Sequence, residues 1–234
     1  MTENKPIVVV TGGNRGIGFE ICRQLASRGA EVVLTARQPE AGQEAVKKLV
    51  AQNLAVQFHP LDVTVPQSIS ALHDFLERTF GRLDALINNA GIIAKAEAAG
   101  LTVQLATVRE TLETNTLAPL LLSQSLVPLL KRSQVGRIVN VSSGMGALSE
   151  MQGDHAAYRI SKAALNAVTG ILAAELSGAV AVNSVCPGWV RTDMGGANAE
   201  RDVSQGADTV VWLALDAPQE LTGKFVRDRN VIAW

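Results

Sequence analysis

Cysteine is scarce in this sequence: only Cys22 and Cys186 occur, far apart along the chain. Two such thiols form neither a disulfide framework nor a zinc knuckle. They read as buried free thiols in a reducing compartment, which points to the cytoplasm. Charge of one sign is also lacking. Lys and Arg number 21 against 22 Asp and Glu, a net charge of −1, so nothing electrostatic favours nucleic acid or an anionic membrane. The N-terminal stretch MTENKPIVVVTGG holds one Lys and an apolar run too short for a signal peptide or a membrane span. Histidine occurs three times. Neither His59 nor His73 belongs to a His-Glu-x-x-His or paired Cys–His spacing, so no metal is expected. Tyrosine occurs once, as Tyr158.

Hydrophobic residues make up 47% of the chain, which excludes disorder. At 234 residues the chain fits a single domain over 1–234, large enough to bury a core without staples. Short β-branched runs alternate with longer helical patterns. Strands are expected at 7–11, 31–36, 54–60, 83–88, 136–142, 179–188 and 222–227. Helices are expected at 16–29, 40–52, 66–80, 101–131, 155–176 and 203–216, and 224–230 reads as a solvated, charged end. This alternation predicts parallel pairing through right-handed crossovers. The fold class is α/β: a doubly wound parallel sheet of about seven strands with helices on both faces.

In such a sheet, ligands bind beyond the carboxyl ends of the strands. After the first strand comes TGGNRGIG, with Gly12, Gly16 and Gly18 at a strand-to-helix turn. Glycine allows close backbone approach, and the helix N-terminus beside Gly16 and Ile17 suits a pyrophosphate. The wider gap after Gly12 makes room for Asn14 and Arg15. The second strand ends LTARQ, without the carboxylate that would bind a ribose 2′-hydroxyl. Arg37 stands there instead. Together with Arg15 it fits a 2′-phosphate, so the cofactor is expected to be NADP(H). After the third strand, Asp62 and the Val63 N–H are placed for adenine. After the fourth, Asn89, Ala90 and Gly91 let the chain pass close to the cofactor; Asn88 and Asn89 read equally as strand caps.

The fifth strand ends in Ser142 and Ser143, and YRISK (158–162) follows. Tyr158 and Lys162, at i and i+4, share one helical face. Free tyrosine titrates near ~10, too high for ready proton exchange at neutral pH. A neighbouring ammonium lowers that value, which makes the pair a usable general acid or base. Ser143, fifteen residues before Tyr158, is placed to stabilise alkoxide charge on a substrate oxygen. Asp154 and His155 beside these serines invite a hydrolase reading, but there is no G-x-S-x-G elbow and the residue order is wrong.

TGGNRGIG, NNAG, Asn115, Ser143, Tyr158-x-x-x-Lys162 and PGWVRTD (187–193) resemble the short-chain dehydrogenase/reductase family, in order, along nearly the whole chain. VVLTAR, CPGWVRTDM and the C-terminal Trp are most similar to its NADPH-dependent carbonyl reductases. The resemblance implies hydride transfer to a ketone or aldehyde. Ser143 would position the carbonyl, Tyr158 would donate the proton, and Lys162 would lower the tyrosine pKa and hold the nicotinamide ribose. Asn115 would support a relay water, and Pro187, Gly188, Val190 and Thr192 would hold the nicotinamide end.

Two departures from the family pattern stand out. Animal members carry a long insertion before the tyrosine, whereas here fourteen residues (144–157) separate Ser143 from Tyr158. A surface that the insertion would cover is left open, which implies a homodimer or homotetramer through the helices bearing Asn115 and Tyr158. Second, Pro119 follows Asn115 by four residues. It has no N–H for the Asn115 carbonyl, which leaves that oxygen for the relay water or simply kinks the helix.

Met145, Leu148, Met151, Trp189 and Met194 give the pocket apolar walls, with Gly195 and Gly196 as lid hinges. These walls suit aryl, alkyl or cyclic carbonyls. Two other readings stay open: a reductase of one metabolite, such as a 3-oxoacyl thioester or a steroid-like ketone, and a non-catalytic NADP(H) sensor.

Overall fold

The β-branched runs form strands because their side chains fill both faces of one sheet. In this computed structural model, which describes residues 5–234, the elements begin β1 (Ile7–Val10), α1 (Gly16–Ser27), β2 (Glu31–Ala36), α2 (Pro39–Val50) and β3 (Val56–Pro60). Next come α3 (Pro66–Phe80), β4 (Ala85–Asn88), α4 (Leu105–Leu112), a π turn (Glu113–Leu117) and α5 (Ala118–Leu130). The chain closes with β5 (Arg137–Val141), α6 (Ala156–Glu175), β6 (Ala181–Val185), α7 (Val203–Leu215), β7 (Phe225–Arg227) and β8 (Asn230–Ile232). Residues 1–4, part of the stretch read as too short for a leader, lie outside the described residues.

The strand order is β3-β2-β1-β4-β5-β6-β7-β8. All pairs are parallel except the last. Alternation within each strand divides the core in two. Val8, Val10, Leu34 and Ile87 pack under α1, α2 and α7, while Val9, Val33, Leu86 and Ile138 pack under α3, α5 and α6. The sheet grows one way from β1 and the other way from β4, so a crevice opens where these two strands end.

Two expectations are corrected. Among the described residues the sheet has eight strands rather than about seven, because the charged end forms the turn and second strand of a hairpin, β7–β8. Asp228 and Arg229 adopt φ of 51° and 61°, and this left-handed pair turns β8 back onto β7. Nor is 101–131 one helix. Residues 101–104 are turn and extended chain, and the helix is broken by the π turn, where Ala118 N–H reaches Glu113 O. Pro119 follows directly, and its missing N–H deletes the α-type bond to Asn115 that a regular helix would make there.

Helix ends are satisfied from far along the chain. Arg137 on β5 is buried, and its Nη1 and Nη2 donate to the carbonyls of Leu213 (3.1 Å) and Ala217 (2.6 Å) at the end of α7. Burial pulls its guanidinium below the usual arginine range. Arg137→Met keeps the aliphatic stem but orphans both carbonyls. It is expected to cost about 3 kcal/mol, read as a melting temperature lower by roughly 6–12 °C.

Candidate active site

Thr11 ties the ends of β1 and β4 together at the crevice. Its Oγ1 donates to Ile87 O at 3.3 Å and accepts the N–H groups of Asn89 and Ala90, each at 2.9 Å. Asn89 Nδ2 returns hydrogen bonds to Thr11 O (2.9 Å) and Gly12 O (3.2 Å). Asn89 therefore braces the glycine turn with its side chain, and Asn88, buried, donates to Asn140 Oδ1 at 2.8 Å. Gly12 and Gly16 have φ of 64° and 54°. A Cβ on Gly18 would press into Gly12 O and come within 2.5 Å of Asn89 Nδ2, so only glycine lets α1 start this close to the turn. Arg15 precedes α1 without a side-chain cap. The N–H groups of Gly16, Ile17 and Gly18 have no backbone partner among the described residues. A positive helix end with free donors thus faces the crevice, as a dinucleotide pyrophosphate requires.

Gly13 N–H donates to Thr35 O at 2.9 Å, which fastens the turn to the end of β2, two residues before Arg37. Arg37 is exposed and has no ion-pair partner among the described residues. Arg15 is exposed too, with Nη1 2.7 Å from Asp193 Oδ2 across the crevice. Next to β3, Asp62 Oδ1 accepts from Thr64 N (3.0 Å) and Thr64 Oγ1 (2.7 Å). One carboxylate oxygen is thus spent on the turn into α3, which the sequence reading did not anticipate. Val63 is buried beside it. The cradle, the paired cations and the lack of a carboxylate after β2 fit NADP(H).

Asn115 sits in the π turn, fully buried. Its side chain clasps Ile92 on both sides, accepting from N at 2.8 Å and donating to O at 2.9 Å, and also donates to Ser161 Oγ at 3.0 Å. A Cβ on Gly91 would lie 3.2 Å from Asn115 Oδ1 and 3.5 Å from Lys162 Nζ, so glycine keeps the approach to the lysine clear. Lys162 is buried, and its Nζ donates to Val141 O at 2.8 Å and lies 5.7 Å from the centre of the Tyr158 ring. The two serines diverge. Ser142 is buried with Oγ donating to Lys162 O at 3.4 Å, whereas half-buried Ser143 accepts from Met145 N at 3.2 Å and acts on the Tyr158 phenol, lowering its pKa.

The electrostatics depart from the expected lowering of the tyrosine pKa. Burial pushes Tyr158 up to about 12, against the hydrogen bond from Ser143. Burial also pulls Lys162 down to about 8. The ammonium is itself held under strain and turned toward Val141 O, so burial dominates at the phenol. At neutral pH the phenol is therefore protonated, and it holds that proton more tightly than a free tyrosine does.

Apolar residues flank this group. Met145 is half-buried in the 144–146 turn, and Leu148, Trp189 and Met194 are exposed. Trp189 Nε1 donates to Gly195 O at 2.8 Å, and Thr192 Oγ1 accepts from Gly195 N at 3.1 Å. Gly188 (φ 80°) follows buried Pro187, and Val190 is buried where it pairs with Arg201. The expected hinge is therefore braced at Gly195, while Gly196 remains exposed. Met151 leaves the pocket. It lines a separate groove with Leu101 and Ile160, and Ile160, two residues from Tyr158, lies on the opposite side of α6.

A family model described as short chain dehydrogenase matches residues 6–202. The chain belongs to the short-chain dehydrogenase family. Carbonyl reductase (NADPH) 1 of Mus musculus is 37% identical, with all of both chains covered. That alignment runs over 282 positions against 234 residues here, so this short-chain dehydrogenase lacks at least 48 of the positions aligned. (+)-Neomenthol dehydrogenase of Arabidopsis thaliana is 38% identical over 94% of this chain and 95% of its own. The NADPH-bound carbonyl reductase from chicken fatty liver superposes with a TM-score of 0.90 at 32% identity, covering 98% of this chain and 99% of that one. Among the described residues, no helix is long and apolar enough to cross a membrane.

Sequence reasoning missed the residues that hold this short-chain dehydrogenase's site in place. Thr11 carries no signal of its own beyond the glycine motif, and Glu97, which binds the start of α6, lies outside every motif. The available signal was negative: His155, directly before α6, is a poor N-cap, so the cap had to come from elsewhere.

Proposed function

We infer that this chain is an NADPH-dependent carbonyl reductase that transfers a hydride to a ketone or aldehyde and protonates the resulting oxygen from Tyr158. The observation that carries this reading is the grouping of Ser143, Tyr158 and Lys162 at the crevice, beside a glycine cradle flanked by Arg15 and Arg37. In this reading the free N–H groups of residues 16–18 hold the pyrophosphate, and Arg15 and Arg37 hold the 2′-phosphate. Asp62 and Val63 adjoin adenine, and the backbone of Asn89, Ala90 and Gly91 passes beside the cofactor. Lys162 reaches the nicotinamide ribose, and Pro187, Gly188, Val190 and Thr192 hold the carboxamide. NADPH, when bound, supplies the hydride.

The protein's part is to place and neutralise the carbonyl. Ser143 Oγ–H donates to the carbonyl oxygen and stabilises charge as it develops there. Tyr158 Oη–H, protonated at neutral pH, delivers its proton to the same oxygen, which becomes a strongly basic alkoxide as the hydride arrives. Asn115, whose side chain is fully occupied, acts through its backbone carbonyl, opposite the missing N–H of Pro119. Exposed Leu148, Trp189 and Met194 fit an apolar ketone or aldehyde, and the short connection to Tyr158 leaves that wall open to bulky ones. The π turn and the outer faces of α5 and α6 expose Leu117, Leu121, Ile160 and Ile171, which supports a homodimer or homotetramer through these helices. Two buried, free thiols support a cytoplasmic setting for the enzyme.

A panel of ketones and aldehydes assayed by NADPH oxidation tests the reading, with NADH alongside; binding without turnover on any carbonyl would count against it. Arg37→Ala is expected to weaken NADPH by roughly 10–100-fold and leave NADH unchanged. One charge-assisted hydrogen bond of about 1.5–3 kcal/mol is lost, at about 1.4 kcal/mol per tenfold. Fluorescence titration with both cofactors measures it.

A further inference from the structure

The catalytic helix begins without a local cap. His155, in the capping position of α6, is left-handed (φ 47°) and its side chain caps nothing. Asp154 is drawn away by Arg159, whose Nη2 lies 2.6 Å from its Oδ1. The connection from Leu148 to His155 is exposed throughout. Yet Tyr158 is only the third residue of α6, in the turn that frays first. A proton donor there needs its backbone held by something else.

A loop some sixty residues earlier holds it. Glu97 Oε1 accepts from Ala157 N at 2.9 Å, and Glu97 Oε2 accepts from Tyr158 N at 3.0 Å. Ala98 O accepts from Ala156 N at 3.0 Å, and Gly153 O accepts from Gly100 N at 3.3 Å. Every N–H of α6 ahead of the first in-helix bond, Arg159 N to His155 O, is therefore taken by residues 97–98. The carboxylate also places negative charge at the positive end of a 20-residue helix.

We propose that Glu97 is a positioning residue for proton delivery: it fixes the first turn of α6 and so sets where Tyr158 Oη stands relative to Ser143. The proposal rests on Tyr158 being the proton donor. Lys162 lies one turn deeper in the helix, so losing Glu97 displaces the donor while leaving the lysine and the cofactor cradle in place.

The test is Glu97→Ala, with Glu97→Gln and Tyr158→Phe beside it. In Glu97→Ala, amide hydrogen exchange at residues 156–158 should accelerate while that in β1, β4 and β5 stays as before. NADPH affinity should remain within about 2-fold. The kcat for a carbonyl substrate should fall roughly 10–100-fold, as expected for a donor displaced by about 1 Å. The solvent deuterium isotope effect on kcat should rise as proton transfer becomes slower, a change that a merely smaller folded fraction does not produce. Glu97→Gln keeps one acceptor oxygen and should recover part of the rate; it also serves if the alanine variant fails to fold. Unchanged exchange at 156–158 would overturn the cap. Faster exchange with undiminished kcat, or a kcat loss without any rise in the isotope effect, would overturn the positioning role. Turnover retained in Tyr158→Phe would instead overturn the reading of Tyr158, which the exchange result does not touch.

Discussion

Tyr158→Phe is expected to lower carbonyl turnover by roughly 10²–10⁴-fold while NADPH binds as before. The substitution removes one oxygen from a ring that is 8% exposed, so packing against α6 and its neighbours is retained. What disappears is the proton donor. No other hydroxyl replaces it: Ser143 serves as the hydrogen-bond donor that steadies charge on the carbonyl oxygen, and Ser142 is turned inward to Lys162 O. Because burial holds the phenol up to about 12, Tyr158 itself should keep its acid form through neutral and mildly alkaline pH, so a fall of the wild-type rate in that range reports another group. Single-turnover NADPH oxidation checks the rate, and fluorescence titration checks binding. Near-normal turnover in the variant would remove Tyr158 from the chemistry.

Lys162→Met should abolish useful turnover and at the same time stabilise the protein. The lysine is buried, and burial holds its pKa down to about 8 from an ordinary 10.5. The unfolded chain therefore binds more protons than the folded one between these values, so this group's contribution makes stability rise as pH climbs from about 8 to 10.5. At neutral pH the folded protein carries the strain in full. Replacing the ammonium with a thioether of similar length relieves it and sacrifices only the 2.8 Å bond to Val141 O. A gain on the order of 1–3 kcal/mol is expected, or roughly 2–12 °C in melting temperature at neutral pH. Wild-type turnover should fall above pH of about 8, where the lysine loses its proton. A melting temperature that drops in the variant would mean that the ammonium is not strained in the folded state.

The parts of the molecule legible in the sequence are those set by local pattern. β-branched runs alternating with helical patterns marked where the strands lie along the chain, and Gly12, Gly16 and Gly18 marked the turn, because backbone geometry there leaves no other residue. Arg37 was legible for what it replaces. The rest depends on partners that only folding supplies. The hairpin at Asp228-Arg229 lacks the Asn-Gly or Asp-Gly signature of its turn type, so its strands read as a charged tail. Glu97 lies in an alanine-rich loop with no periodicity, and its meaning appears only when that loop lies against His155. The phenol's pKa was misread because the Tyr–Lys spacing shows proximity but not the burial of both groups.

The π turn at Glu113–Leu117 carries one consequence for how this chain can vary. It holds a residue more than a regular helical turn, and each residue of an α-helix advances the face by about 100°. That extra step lets α4 lie on α6 while α5, beyond it, lies against α3 and β4. Asn115 stands at the seam, facing Ser161. Deleting one residue there would restore an ordinary helix and swing one of its halves off its support. Many letters along this stretch can change, but their number cannot.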